Sequence, residues 1–206
     1  MEQENPFRWS MIAVVVLTSA VTVYFRLRAA RSDEKISRRD EGIAFAITLR
    51  LAGLSLWVAT FAYLLFPTAT PWAKLPLPTP VRWFGVVVGF ACSCLMYWTL
   101  SNLGRNLTDT VVTRREATLV THGPYRWVRH PFYVTAALLM AATTVASASG
   151  LIGLTSLLVM GLLAVRTPRE EARLVARFGQ SYENYMATTG RFFPRIDLLW
   201  RHSHRD

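Results

Sequence analysis

Apolar runs long enough to cross a bilayer occupy most of this chain, and they restrict it to a helical membrane architecture. The first extends over Trp9–Tyr24, the second over Ile43–Phe66 with Arg50 inside it, and the third over Trp83–Leu100. At about 1.5 Å of rise per residue, runs of this order match a hydrocarbon core about 30 Å thick. A longer stretch, Phe132–Val165, is broken only by Ala146-Ser147-Ala148-Ser149-Gly150, whose small side chains let a helix reverse. It predicts a tight helical hairpin forming spans four and five. Glu2, Glu4 and Arg8 precede the first run without a basic leader or a cleavage signal, so that run reads as a retained span. The expected fold is an all-α integral membrane protein with about five transmembrane helices.

The cations test this count. Six basic residues fall between Phe25 and Gly42 (Arg26, Arg28, Arg31, Lys35, Arg38, Arg39), five between Ser101 and His130, and eight beyond Val165. The segment Pro67–Pro80 holds only Lys74. Lys and Arg gather on the cytoplasmic side of membrane proteins, so an odd span count predicts the N-terminus outside and the C-terminus inside. The net charge of +10 is accounted for by topology and by contact with anionic lipid headgroups, with no single basic face of the kind a nucleic acid needs. Cys92 and Cys94 sit two apart in one helical run and point to different sides, so neither a disulfide framework nor a metal site is expected. Arg50 lies about two turns from the start of its run, close enough for its side chain to snorkel to the surface.

Polar chemistry concentrates where the fourth span begins: His122-Gly123-Pro124-Tyr125-Arg126-Trp127-Val128-Arg129-His130-Pro131-Phe132-Tyr133. Ionisable groups next to hydrocarbon are costly and are retained for a task, such as gripping an ionic ligand. The other polar concentration follows the last span, at Arg166-Thr167-Pro168-Arg169-Glu170-Glu171. Leu174, Phe178, Tyr182 and Tyr185 then recur at four- and three-residue intervals, which predicts an amphipathic C-terminal helix on the cytoplasmic side. Pro168 suits a first-turn position of that helix, with Glu170 and Glu171 favoured by its dipole. Arg166 and Glu170, four apart, share a face if the helix continues from the span. Each feature also has a plain structural reading. Arg126 and Arg129 serve as membrane anchors, His130 as a helix N-cap, the aromatic rings as an interfacial belt, and the two acids as a helix cap.

Taken jointly, Gly-Pro-Tyr-Arg-Trp-Val-Arg-His-Pro-Phe-Tyr at 123–133, Glu170-Glu171, Phe178-Gly179 and Tyr182 with Tyr185 resemble the isoprenylcysteine carboxyl methyltransferase family. The likeness covers about half of the chain, from Gly104 to Pro194. The Gly104-Arg105-Asn106-Leu107 segment resembles the family's glycine-containing turn without the aromatic residue often found beside it. The resemblance implies a membrane enzyme that moves a methyl group from S-adenosylmethionine to a lipophilic substrate, most directly the carboxylate of an isoprenylated cysteine. It further implies that Leu119, Val120, Tyr125, His130, Pro131 and Tyr133 line the cofactor pocket, that Glu170 closes it, and that Arg166 holds the acceptor carboxylate. On that basis residues 1–100 form an N-terminal transmembrane part and 101–206 the cofactor-binding and catalytic region.

Two other classes compete with this reading. A membrane reductase of the sterol-reductase type, using NADPH, shares an Arg-His-Pro style segment and a similar C-terminal helix. Here Phe132 stands where such enzymes carry Asn before the tyrosine, and Glu170-Glu171 precede Phe178-Gly179; both features lean towards methyl transfer. A non-enzymatic scaffold binding anionic lipid through its basic loops leaves the pairing of motif and acids without a purpose.

Overall fold

A computed structural model describes residues 4–30, 43–66, 70–104 and 118–195. Its elements are six α-helices: α1 (Asn5–Ala30), α2 (Ile43–Leu65), α3 (Thr79–Leu103), α4 (Pro131–Ser147), α5 (Gly150–Phe178) and α6 (Gln180–Thr188). Four of them, α1, α2, α3 and α5, are long and apolar enough to cross a membrane, and α4 is a shorter apolar helix of 17 residues. The all-helical membrane fold is therefore as the sequence predicts, with α4 contributing about 25 Å of length at 1.5 Å per residue. Among the described residues the only β-type pairings are two isolated bridges.

The hairpin between α4 and α5 forms at the small-residue stretch. Ala148 takes up a left-handed conformation, φ 51°, and its N–H donates to the Thr144 and Val145 carbonyls. Ser149 then caps α5 by accepting from the Ile152 N–H. α3 packs most closely on α4, because Gly85 permits it: a Cβ there would stand 2.8 Å from the Ala146 nitrogen and 2.9 Å from the Ala142 carbonyl oxygen. Cys92 is buried and Cys94 exposed, on different sides of α3 as expected.

Two apolar clusters show how the bundle is joined. Met11, Ala59, Tyr63, Leu64 and Ile152 bring together α1, the end of α2 and the start of α5. Phe25, Met96, Leu100 and Ala136 bring together α1, α3 and α4 at the opposite end. α2 belongs to the first cluster alone: its buried residues run from Ala52 to Leu64, while Ile43, Ile47 and Leu51 are exposed. Arg50 is exposed on this same outward half of α2.

At the end of the bundle where α1 and α3 begin, Glu4 is gripped by Arg82 at 2.6 Å and by Lys74 at 2.9 Å. Arg82 is only 6% exposed; it also donates through Nε to the Ala146 carbonyl at 3.0 Å and lies 3.8 Å over the Phe7 ring. The Tyr63 hydroxyl completes this cluster.

One expectation needs correcting. Pro168 does not open a separate helix but lies inside α5, which runs without interruption from Gly150 to Phe178. A proline nitrogen cannot donate to the carbonyl four residues back, yet the turn already built ahead of it carries the helix on. The break comes at Gly179, where φ is +54°, and α6 follows. The predicted amphipathic C-terminal helix is thus two pieces, the polar extension of α5 and the short α6. The basic residues Arg31, Lys35, Arg38, Arg39, Arg105, Arg114, Arg115, Arg201 and Arg205, and the turn residues Arg105–Leu107, lie outside the described residues.

Candidate active site

The motif begins as a 3-10 turn over Gly123–Arg126 and is pressed against the end of α3. Gly123 has φ +60°, and a Cβ on it would fall 2.4 Å from the Asn102 side-chain oxygen, so a larger residue there would strain the backbone and displace Asn102. Trp127 meets Trp98 of α3 edge to face, with ring centroids 5.4 Å apart, and Arg126 lies 4.4 Å over the Trp127 ring. Tyr125 points inward and is buried.

Beyond Trp127 the chain runs alongside the segment that leaves α6. Val128 bridges Gly190 in parallel, the Arg129 N–H donates to the Gly190 carbonyl at 2.8 Å, and the His130 N–H donates to the Arg191 carbonyl at 3.1 Å. His130 occupies the N-cap position of α4, but its side chain caps nothing there. The ring turns instead to Glu171, with Nε2 3.2 Å from Oε1. It stacks on Tyr133 at 5.4 Å and 6°, and Phe192 leans on it at 5.8 Å.

The two adjacent acids have different surroundings. Glu170, half-buried, accepts a hydrogen bond from the Tyr133 hydroxyl at 2.6 Å. Glu171, whose side chain is 4% exposed, is held by Arg129 at 2.9 Å, by Arg191 at 2.5 Å and by His130. Arg129 further donates to the Met186 and Thr189 carbonyls at the end of α6. Burial pushes the phenols of Tyr125, Tyr182 and Tyr185 above the ordinary tyrosine range, and the negative charge of Glu170 adds to the shift at Tyr125 and Tyr182. The Tyr185 hydroxyl donates to the Tyr125 carbonyl. The Tyr182 hydroxyl is buried and finds no hydrogen-bond partner among the described residues.

Of the residues singled out from the sequence, the structure gathers Tyr125, His130, Pro131, Tyr133 and Glu170 into one cluster at the start of α4 and the polar end of α5. Arg166 lies on α5 one turn before Glu170 and is half-buried. Because α5 is continuous there, the four-residue spacing puts both on one face. Leu119 and Val120 are half-buried on the extended stretch that leads into the motif. The sequence singles out both Glu170 and Glu171 without deciding which is the functional acid, and it reads Arg129 only as an anchor; Arg191, Phe192 and the inward role of Tyr182 were not foreseen. The tyrosine spacing was a legible signal; the charge pairs were not. No group of three or more His, Cys, Asp or Glu able to hold a metal occurs among the described residues.

A family profile falls on much of this same region. The profile described as the isoprenylcysteine carboxyl methyltransferase (ICMT) family matches residues 85–176, which include the motif, Arg166 and both acids. Protein-S-isoprenylcysteine O-methyltransferase of Rattus norvegicus is 29% identical over 164 residues, and the match takes in 78% of this chain and 56% of that protein. The Homo sapiens protein of the same name aligns with the same identity and coverage. The chain thus spans little more than half the length of these relatives. The nickel-cobalt-cadmium resistance protein NccN of Alcaligenes xylosoxydans is 30% identical over 102 residues, 49% of this chain and 48% of that one. A solved eukaryotic intramembrane Ras methyltransferase, ICMT, shares the fold with a TM-score of 0.57 at 22% identity, covering 91% of this chain and 68% of its own. Residues 85–176 are thus similar to the isoprenylcysteine carboxyl methyltransferase family, and the fold is one that a solved member shares.

Proposed function

We propose that this protein is a membrane methyltransferase that uses S-adenosylmethionine to esterify the carboxylate of a lipophilic substrate, with an isoprenylated cysteine the foremost candidate. The observation that carries this reading is the pairing of the Tyr133-bound Glu170 carboxylate with Arg166 one turn earlier, at the membrane-surface end of α5.

The residues suit such a donor. A sulfonium is a cation, and the Glu170 carboxylate with the rings of Tyr133 and Tyr125 near it, Tyr133 stacked on His130, offers surroundings that favour positive charge. The Tyr182 hydroxyl, 2% exposed as a residue and without a hydrogen-bond partner among the described residues, is a buried donor that a polar ligand atom would satisfy. Leu119, Val120 and Pro131 supply apolar lining beside these groups.

When bound, S-adenosylmethionine supplies an electrophilic methyl carbon on a positively charged sulphur. Glu170, Tyr133 and Tyr125 would hold this donor and Arg166 the acceptor carboxylate, whose oxygen would take the methyl group as the carbon–sulphur bond is given up, so that the two opposite charges would cancel. No proton moves, so the protein's task is alignment and exclusion of water rather than acid–base catalysis. Arg166 holds the acceptor carboxylate bidentately, and Glu170, fixed by Tyr133, keeps the donor's charge in place. Both side chains project from one helix, which sets their separation.

The cations of the flanking segments support a cytoplasmic placement of this site, with the N-terminus outside and the C-terminus inside. Residues 101–206 then carry the chemistry, and residues 1–100 build the membrane frame around it. The unpacked half of α2, with Ile43, Ile47 and Leu51 exposed, supports lateral entry of the lipid chain from the bilayer near the site. The donor enters from the water.

Calorimetry on detergent-purified protein tests the reading. Saturable S-adenosylmethionine binding, lost in Glu170→Ala and weakened in His130→Ala, is the expected result. Binding of NADPH in its place would transfer the assignment to a reductase, and binding of neither would leave a lipid-binding scaffold.

A further inference from the structure

One turn of α5 presents two adjacent acids, and consecutive helical residues project about 100° apart. Glu170 therefore faces Tyr133 while Glu171 faces Arg129, His130 and Arg191. Those three partners come from the stretch that follows the motif turn, the N-cap of α4 and the segment after α6, so a single carboxylate ties three stretches of chain to α5. Arg129 extends the tie to the last carbonyls of α6. The segment Thr189–Phe192 is thereby strapped along 128–130, with its carbonyls on the Arg129 and His130 amides and its Phe192 ring against His130.

We propose that Glu171 is a positioning residue of the donor site, acting through Arg129, His130 and the 189–192 strap, without touching the reacting atoms. The inference rests on the donor-site reading above and deepens it by dividing labour between the two acids: Glu170 meets the ligand and Glu171 fixes the wall that receives it. The physical reason is electrostatic. Arg129, with only 8% of its side chain exposed, and the partly exposed Arg191 would repel each other across the motif without the carboxylate between them. Losing one member of a buried charge cluster leaves the remaining charges uncompensated and frees the segments they hold. His130 would then lose the contact that orients its ring over Tyr133, in the way that supporting partners orient a ligating imidazole.

The test combines two readouts on Glu171→Gln, Glu171→Asp and Arg191→Gln. The first is S-adenosylmethionine affinity with steady-state turnover of a prenylated cysteine substrate. The second is hydrogen exchange at the Arg129 and His130 amides in ligand-free protein. For Glu171→Gln the donor Kd and KM are expected to rise about 10- to 100-fold with kcat within about threefold, the range seen when an orienting partner is removed. The two amides should exchange faster by a comparable factor. Glu171→Asp should recover part of both effects, and Arg191→Gln, which removes the most exposed arm, should raise the donor Kd about threefold.

A fall in kcat at unchanged KM would overturn the proposal by placing Glu171 at the reacting atoms. Unchanged donor affinity and unchanged exchange would overturn it by making the cluster inert. If Glu171→Gln fails to fold, Arg191→Gln decides alone, and wild-type affinity and exchange in that variant would refute the strap. Should the wild-type protein bind no S-adenosylmethionine, the exchange readout still reports on the strap, and it is the donor reading that fails.

Discussion

The bundle carries a charged cluster at each end, and the two are built alike. At one end Glu4 lies between Arg82 and Lys74, and at the other Glu171 lies between Arg129 and Arg191. Each carboxylate is served by two arginine or lysine side chains, and each cluster has an arginine donating to backbone carbonyls at a helix end. The difference lies in what stands beside them. Around Glu4 the groups close on one another: Arg82 spends its donors on Glu4, Tyr63 and Ala146 and lays its plane on Phe7. Around Glu171 there is a second carboxylate held by a tyrosine hydroxyl, and a buried Tyr182 hydroxyl with no hydrogen-bond partner among the described residues. A closed cluster is a joint. A cluster flanked by groups with capacity to spare is where a ligand belongs.

Substitutions at the two ends should separate joint from site. The largest effect is expected for Arg166→Ala, which removes the proposed grip on the acceptor carboxylate. Methyl transfer should fall about 100-fold, the scale of a charge-assisted hydrogen bond together with lost alignment, while the thermal midpoint hardly moves. Glu4→Gln should do the reverse, lowering stability by about 1 to 3 kcal/mol in a melting experiment and leaving turnover intact. Equal losses of activity from both would erase the distinction drawn here. Tyr133→Phe removes only the hydroxyl that fixes Glu170, and about tenfold weaker donor binding with normal folding is expected from calorimetry.

Acid supplies the smallest and most selective contrast. The hydrogen bond from Arg82 holds the Glu4 carboxyl near pKa about 2, against the opposing pull of burial and with further help from Lys74. A carboxylate whose folded-state pKa is depressed adds stability that is fully present above its unfolded value, near 4.5, and is lost as the pH falls towards 2. The wild-type melting temperature should therefore drop over that window more steeply than that of Glu4→Gln. Parallel curves would show that the cluster stores no pH-dependent stability.

The membrane fold was legible because apolar runs and small residues act locally. The Ala146–Gly150 stretch announced its turn, and the spacing of Arg166 and Glu170 stated their common face. Pro168 misled, since proline at a helix start and proline carried within an established helix look alike in sequence; only the packing of α5 on its neighbours distinguishes them. The Glu171 cluster was illegible for a different reason. Its partners lie 42, 41 and 20 residues away in the chain, and two of them are arginines that the topology rule had already counted among the cations of one side. Charge pairing over such separations leaves no periodic trace.

The unbroken run of α5 makes that helix a ruler laid across the membrane. Its zero mark is the Ala148–Ser149 turn, which the Leu75 amide and the Lys74 bridge fasten at the far surface. Counting about 1.5 Å per residue from Gly150, Arg166 stands about 24 Å along it and Glu170 one turn further. The depth of Arg166 and Glu170, and with it that of the proposed meeting of acceptor and donor, is thus graduated by residue number and not by loop conformation. One residue inserted before Val165 would turn the far end by about 100°, setting Glu170 towards the partners of Glu171 and carrying Glu171 past them.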